Sequence, residues 1–279
     1  MSAPAAALPE SVIARAPVGQ LAGRRLAVTL GGIAMLLLYA PILWLMVLSF
    51  SARPLEGIPW PPTLAWYRAL GDDRGWAAPL VRSVQVALVV MLLATAAAAL
   101  VGRALPAMRR RNAALALYLV VIFLPGIVVG LSILIFWRGL LGIRTGFWSV
   151  VLAHFIWAFP FALLCVLIVA ARFDRRLLEA AADLGADARQ RFWQIELPLL
   201  RPGLAAAAFF SFLLSFNELP RTLYVRGPEA TLPFYLWTQS ASHSSTVALV
   251  FALSTAISLV SLVLTAIAIA LLLRAEETP

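Results

Sequence analysis

The stretch Glu179–Pro198, EAAADLGADARQRFWQIELP, lies in the longest polar segment between two strongly apolar runs of the chain. Asp174 ahead of it can cap a helix with an apolar stripe of Leu177, Ala181 and Leu184, flanked by Leu178 and Ala182. Arg175, Arg176, Glu179 and Asp183 fall on the opposite face. Gly185 follows the last periodic residue, where a glycine ends a helix by taking the left-handed conformation without strain. Asp187 and Gln190 have the spacing of a capping box, so a second short helix starts at once. It runs to about Ile195 before Pro198 breaks it. The expected product is two short helices with a tight bend. Small residues at the bend let another protein approach closely, and Phe192 and Trp193 supply apolar anchors for a groove.

Outward from this segment the chain is apolar. Of its 279 residues 62% are hydrophobic and 13% charged, which identifies a polytopic membrane protein. The net charge of +9 does not point to nucleic acid, because the basic residues are spread over loops between apolar runs and form no single face. All 22 basic residues are arginine. Without lysine no G-x-x-x-x-G-K phosphate loop is possible, so an ATP site, if ATP drives this protein, is on another chain.

Residues 1–25, rich in Ala and Pro up to the Arg24-Arg25 pair, are expected to form a flexible cytoplasmic tail. A first span covers Leu26–Phe50, and residues 51–79, with five prolines and several aromatics, suit an interfacial cap on the outer side. The second span runs from about Ser83 to Gly102. Arg103, Arg109, Arg110 and Arg111 follow without an acid and mark a cytoplasmic loop. The third span, about Ala113–Trp137, carries a kink at Pro125-Gly126. The fourth covers about Phe147–Ala171, and the sixth Thr246–Leu272, with 274–279 as a cytoplasmic tail. The fifth apolar run is too short if it extends only from Gly203 to Phe216. Either it continues through Asn217, Glu218, Pro220 and Arg221 to about Val225, or it is broken there. This topology places fourteen arginines inside and eight outside, with both termini cytoplasmic.

The central stretch also has a fixed spacing: E-A-A, three residues, G, nine residues, I, one residue, L-P. Glu179, Ala180, Ala181, Gly185, Ile195, Leu197 and Pro198 carry it. In this it resembles the permease subunits of binding-protein-dependent ABC importers, in which the segment (here the loop 172–202) forms coupling helices that dock into a cleft of the ATPase. A second stretch, Ser215–Gln239, SFNELPRTLYVRGPEATLPFYLWTQ, resembles the spermidine/putrescine-type permeases, where S-F-[D/N]-[D/E] precedes T-x-[F/Y]-x-x-G-P and T-L-P. The resemblance covers about residues 26–273.

It implies an all-α integral membrane subunit of six transmembrane helices with the type I ABC importer permease fold, in a bacterial inner membrane. Its partners would be two ATPase subunits, a second permease, identical or related, and a periplasmic solute-binding protein, all within membrane lipid. Among solutes, a polyamine-like or other cationic, amine-containing one is favoured, with Asn217 and Glu218 as substrate-pathway residues. Asn217 stands where many polyamine-type members have an aspartate, and the subfamily's other solutes include opines, phosphonates, thiamine and iron.

Three residues have plainer roles as well. Glu218 can pair with Arg221, three residues on and on the same helical face. His154, within a span, is read as an interhelical hydrogen-bonding group, and Cys165 as a small buried side chain. His154 and His243 are isolated from cysteines and carboxylates, so neither metal nor cofactor is expected, and no triad or carboxylate dyad suggests enzyme chemistry. Three competing assignments remain, one of them a membrane-embedded assembly or sensor subunit with no transport path. An amphipathic hairpin on the membrane surface would have a larger, unbroken moment and a more basic face. An ion-coupled secondary transporter would carry more acids within its spans than Glu218.

Overall fold

The computed structural model describes residues 18–174, 176–242 and 244–277. The expectations for residues 1–17, Arg175, His243 and the last two residues fall outside them. The chain divides at Leu64 into two compact units.

In the first unit, α1 (Val18–Leu48) carries the apolar stretch Leu26–Leu48, and the side chains of that stretch are exposed along most of its length. Twenty-three residues at a rise of about 1.5 Å span about 34 Å, enough for a hydrocarbon core of about 30 Å. The segment after it was expected to be loop alone, but β1 (Ser51–Arg53) and β2 (Ile58–Pro62) pair antiparallel around Gly57, whose φ is 70°. Both strands are edges, which is why the proline-rich IPWPP can pair without the N–H groups its prolines lack.

The second unit is built on three mutually packed helices: α3 (Ala77–Ala104), α6 (Phe147–Ala170) and α9 (Leu197–Phe216). Hydrocarbon offers no partner for backbone polar groups, so each segment satisfies its own by being helical. Association then rests on close packing, and the seams are small residues: Ala94 and Ala98 of α3, Ala158 and Ala162 of α6 and Ala207 of α9 are fully buried. Gly102 meets Val166 so closely that a Cβ would lie 2.8 Å from the valine methyl. Around this core stand α2 (Ala65–Asp72), α4 (Arg111–Leu119), α5 (Gly126–Leu134), α7 (Arg176–Asp183), α8 (Ala188–Arg191), α10 (Thr222–Val225), α11 (Leu232–Ser242) and α12 (Ser244–Glu277).

Among the described residues five helical stretches are long and apolar enough to cross a membrane, and a bent pair makes the sixth. That pair is the expected third span. It is no gentle kink: Arg111–Phe123 and Gly126–Leu140 meet at 97°. Leu124 and Pro125 are both extended, with ψ of 129° and 128°; for Leu124 the proline ring that follows it excludes the helical conformation.

The fifth span also differs from expectation. Pro198 does not end the second short helix. Helix runs from Ala188 to Phe216, since a wide turn over Phe192–Glu196 joins α8 to α9 and leaves Pro198 in the first turn of α9. In that turn Leu197 N–H reaches back five residues to the Phe192 carbonyl, which relieves the clash the proline ring would make in a regular helix. The span therefore starts well before Gly203 and is long enough without the polar residues. Of the two alternatives the broken one holds: α9 ends at Phe216, and α10 begins only at Thr222. Beyond it, α11 occupies a region with no helix signal of its own strength. Its start is fixed by the Thr231-Leu232-Pro233 motif, where Leu232 N–H donates to Ser83 Oγ of α3 at 2.8 Å.

Candidate functional site

The hairpin of α7 and α8 forms as its sequence dictates. Asp174 Oδ1 accepts from Arg176 N–H at 3.0 Å. At the other end Gly185, φ 90°, closes α7: Gly185 N–H bonds the Ala182 carbonyl and Ala186 N–H the Ala181 carbonyl, each at 2.9 Å, the paired bonds of a Schellman turn. Asp187 and Gln190 complete the capping box in both directions, at 2.7 and 2.9 Å. Three orderings between Asp174 and Gln190 hold a bend whose apolar tip is in the open, with Leu184 89% and Trp193 57% exposed. Glu179 and Ala180 are exposed too, whereas Ala181, Ile195, Leu197 and Pro198 are half-buried.

Phe192 does not point outward with Trp193. It is half-buried beneath Arg103, whose guanidinium lies 4.7 Å from the ring centre. The same Arg103, at the end of α3, grips Glu196 with both arms of its fork, Nε to Oε1 at 2.6 Å and Nη2 to Oε2 at 2.9 Å. A bidentate pair of this kind fixes orientation as well as distance. It ties the wide turn to the core helices. Arg103 and Glu196 were not singled out as partners in the sequence, being 93 residues apart with no local pattern to join them. Beside them a cavity of about 910 Å³ opens between the ends of α3 and α6 and the hairpin, with Glu179, Arg111 and Arg191 on its walls.

About 30 Å along α9, the rise of its twenty residues, lies the polar break. Asn217 is exposed, and its Nδ2 donates to the Leu213 carbonyl at 3.0 Å. Glu218 turns the other way. Its carboxylate is 6% exposed and accepts from Arg221 Nη1 at 3.1 Å on both oxygens and from Arg221 N–H at 3.0 Å. Arg221, 4% exposed, also lies 4.2 Å over the face of Trp157. His154 bridges the break: Nδ1 is 2.9 Å from Ser215 Oγ of α9 and Nε2 is 2.8 Å from Thr222 Oγ1 of α10. Thr222 in turn donates to the Glu218 carbonyl at 2.9 Å. The side chains of His154, Ser215, Thr222 and Glu218 thus find partners at the break, as burial favours, while Arg221 Nε is buried without a hydrogen bond. The half-span α5 presses on this knot through glycines, for a Cβ on Gly130 would sit 2.6 Å from the Arg221 carbonyl.

A multi-pass helical subunit with a broken span and a capped, exposed hairpin has the makings of a transport permease. Comparison with known families agrees. Residues 94–275, well over half of the chain, match the family described as binding-protein-dependent transport system inner membrane component. The chain belongs to this family. It is 35% identical over 194 residues to the spermidine/putrescine transport system permease protein PotC of Escherichia coli (strain K12), covering 68% of this chain and 73% of that protein. The PotC protein of Haemophilus influenzae is 32% identical over 193 residues, covering 68% and 74%. The putrescine transport system permease protein PotI of Escherichia coli (strain K12) is 27% identical over 206 residues, covering 70% and 72%. The chain is accordingly the permease subunit of an ABC importer with the type I permease fold, a multi-pass inner-membrane protein and not an enzyme. ATP hydrolysis belongs to a separate subunit of such a system.

Proposed function

We propose that this chain forms half of a permease pair that moves a small amine-bearing, cationic solute of the polyamine kind, handed over by a periplasmic solute-binding protein. The names of its relatives in polyamine transport support that solute class. Both termini are cytoplasmic, which the arginine-rich turn at Arg109–Arg111 supports. The segment 172–202 is the coupling loop. Two ATPase subunits, one for each permease, dock on the hairpin, with Trp193 and Leu184 entering the cleft. Glu179, Ala180, Ala181 and Gly185 shape the bend, and Phe192, Ile195, Leu197 and Pro198 seat it on the core. Closure of the ATPases on ATP moves the hairpins and biases the pair between inward-open and outward-open states. On the solute side, Asn217 faces the pathway, while Glu218 shapes its wall by holding Arg221.

The doubly capped hairpin with its apolar tip exposed is the observation that carries the coupling role. Gly185→Leu tests it. A side chain at φ 90° costs about 1–2 kcal/mol of local strain, yet a Cβ there meets nothing within 4 Å, so the membrane core is untouched. The variant should insert in normal amount, bind its ATPase weakly and lose putrescine uptake in proteoliposomes containing ATP. Normal uptake with normal ATPase binding would remove the docking role.

A further inference from the structure

The cavity of about 910 Å³ between the coupling hairpin and the ends of α3 and α6 brings arginines together with leucines of the spans. We infer that it is a binding site for an anionic phospholipid, whose phosphate sits between Arg111 and Arg191 while its acyl chains lie against those leucines.

Five charged side chains line the cavity. Arg103 and Glu196 neutralise each other through their two-armed pair. Arg111, Arg191 and Glu179 have no ion-pair partner among the described residues, which leaves one positive charge in excess. Of the two free cations Arg191 says more. It is half-buried, and its Nε–H is shut off from solvent and donates to no acceptor. A buried donor without an acceptor is costly, and here an acceptor entering the cavity would remove that cost. A phosphodiester fits: it carries a single negative charge, and its oxygens can meet a guanidinium with two N–H groups at once.

The apolar walls favour lipid over a soluble anion. Leu100, Leu115, Leu167 and Leu200 line the cavity, and each belongs to a stretch apolar enough to cross a membrane or to the bent pair. Arg103, Arg111 and Arg191 all stand within four residues of an end of such a stretch. The cavity therefore straddles the border between hydrocarbon and headgroups, where basic pockets between spans hold acidic headgroups. Leu100, 67% exposed, opens it towards the acyl chains. Leu184 and Trp193, the residues proposed to enter the ATPase cleft, do not line it. A phosphate held there links the first residue of α4 to the last of α8, and so fastens the hairpin to the core at a second place beside the Arg103–Glu196 pair.

The test uses the complete importer, permease pair with ATPases, purified in detergent and exposed to phosphatidylglycerol or phosphatidylcholine, with retained lipid counted by native mass spectrometry. The wild type should hold one phosphatidylglycerol per copy of this chain more than the Arg111→Gln/Arg191→Gln protein does, and no such difference should appear with phosphatidylcholine. Arg191→Gln alone should weaken retention about tenfold or more, as for a charge-assisted hydrogen bond, and Arg111→Gln about two- to fivefold, as for an exposed pair. Equal retention of phosphatidylglycerol by wild type and double variant would overturn the site. If the double variant does not assemble, Arg111→Gln and Arg191→Lys are measured singly, and wild-type retention in both would overturn it equally. Displacement of the lipid by excess inorganic phosphate would make the cavity a site for soluble anions, against the proposal. Variants that keep phosphatidylglycerol but shed the ATPase would assign the two arginines to the ATPase instead. Retention is read without transport, so its failure would leave the importer reading standing.

Discussion

Replacing Glu218 by Gln removes one charge of a pair whose members are 6% and 4% exposed and leaves Arg221 without its counterion. Breaking a buried ion pair at one end costs about 3–5 kcal/mol, because the surviving charge stays desolvated. Two features reduce that here. The amide oxygen of Gln can still accept from Arg221 N–H, now 3.0 Å from Oε1. Trp157, 4.2 Å below the guanidinium, keeps its attraction, worth about 1–2 kcal/mol when desolvated. The expected loss is therefore near the lower end, about 3 kcal/mol. Arg221→Gln should cost at least as much, since the stranded carboxylate has no aromatic face to rest on. With both replaced, no charge is buried, and the double variant should be more stable than either single one. A cycle of the four proteins, followed by thermal loss of monodisperse permease in detergent, would then give a coupling energy of more than about 3 kcal/mol. Additive losses would refute the pair as a structural unit. A Glu218→Gln protein of full stability but impaired putrescine uptake would refute it too, and would return the carboxylate to the solute.

Three further outcomes follow from the geometry. In a Cys165→Ala background, a cysteine at Arg110 should react with membrane-impermeant maleimide only from the cytoplasmic side and one at Asp72 only from outside; the reverse would invert the topology. Gly130→Ala must push a methyl into the Arg221 carbonyl, at 2.6 Å, and should lower stability by about 1–3 kcal/mol in the same melting assay. Gly32→Ala, with nothing within 4 Å, should not. Arg103→Gln frees Glu196 and uncovers Phe192; with Arg103 43% exposed the stability loss should be within about 1 kcal/mol, but putrescine transported per ATP hydrolysed should fall, and an unchanged ratio would separate the fork from coupling.

The hairpin was legible in the sequence because its signals are local: Asp174, Gly185, Asp187 and Gln190 act on backbone within three residues of themselves. So were the spans, since composition alone decides what can sit in hydrocarbon. What escaped is set across the fold. Pro125-Gly126 announces a break, but the 97° angle is possible because α5 can lean its glycines on Arg221, nearly a hundred residues away. Pro198 carries the usual sign of a helix end, and only the wide turn before it, braced by Arg103, shows why the helix goes on. Glu218 could be read as a partner of Arg221 from spacing; that Trp157 and His154 complete the knot could not.

The wide turn has a mechanical consequence. α7 and α8 meet at the capped bend of Gly185, whereas helix continues from Ala188 to Phe216 for 29 residues, about 43 Å, through the wide turn and past Pro202. An axial displacement of α8 would be carried along this helix towards Ser215. A stroke of a single residue's rise, about 1.5 Å, is half the 2.9 Å that separates Ser215 Oγ from His154 Nδ1. An axial shift of α9 by one residue's rise would therefore break or reseat the hydrogen bond between Ser215 and His154 beside the polar break.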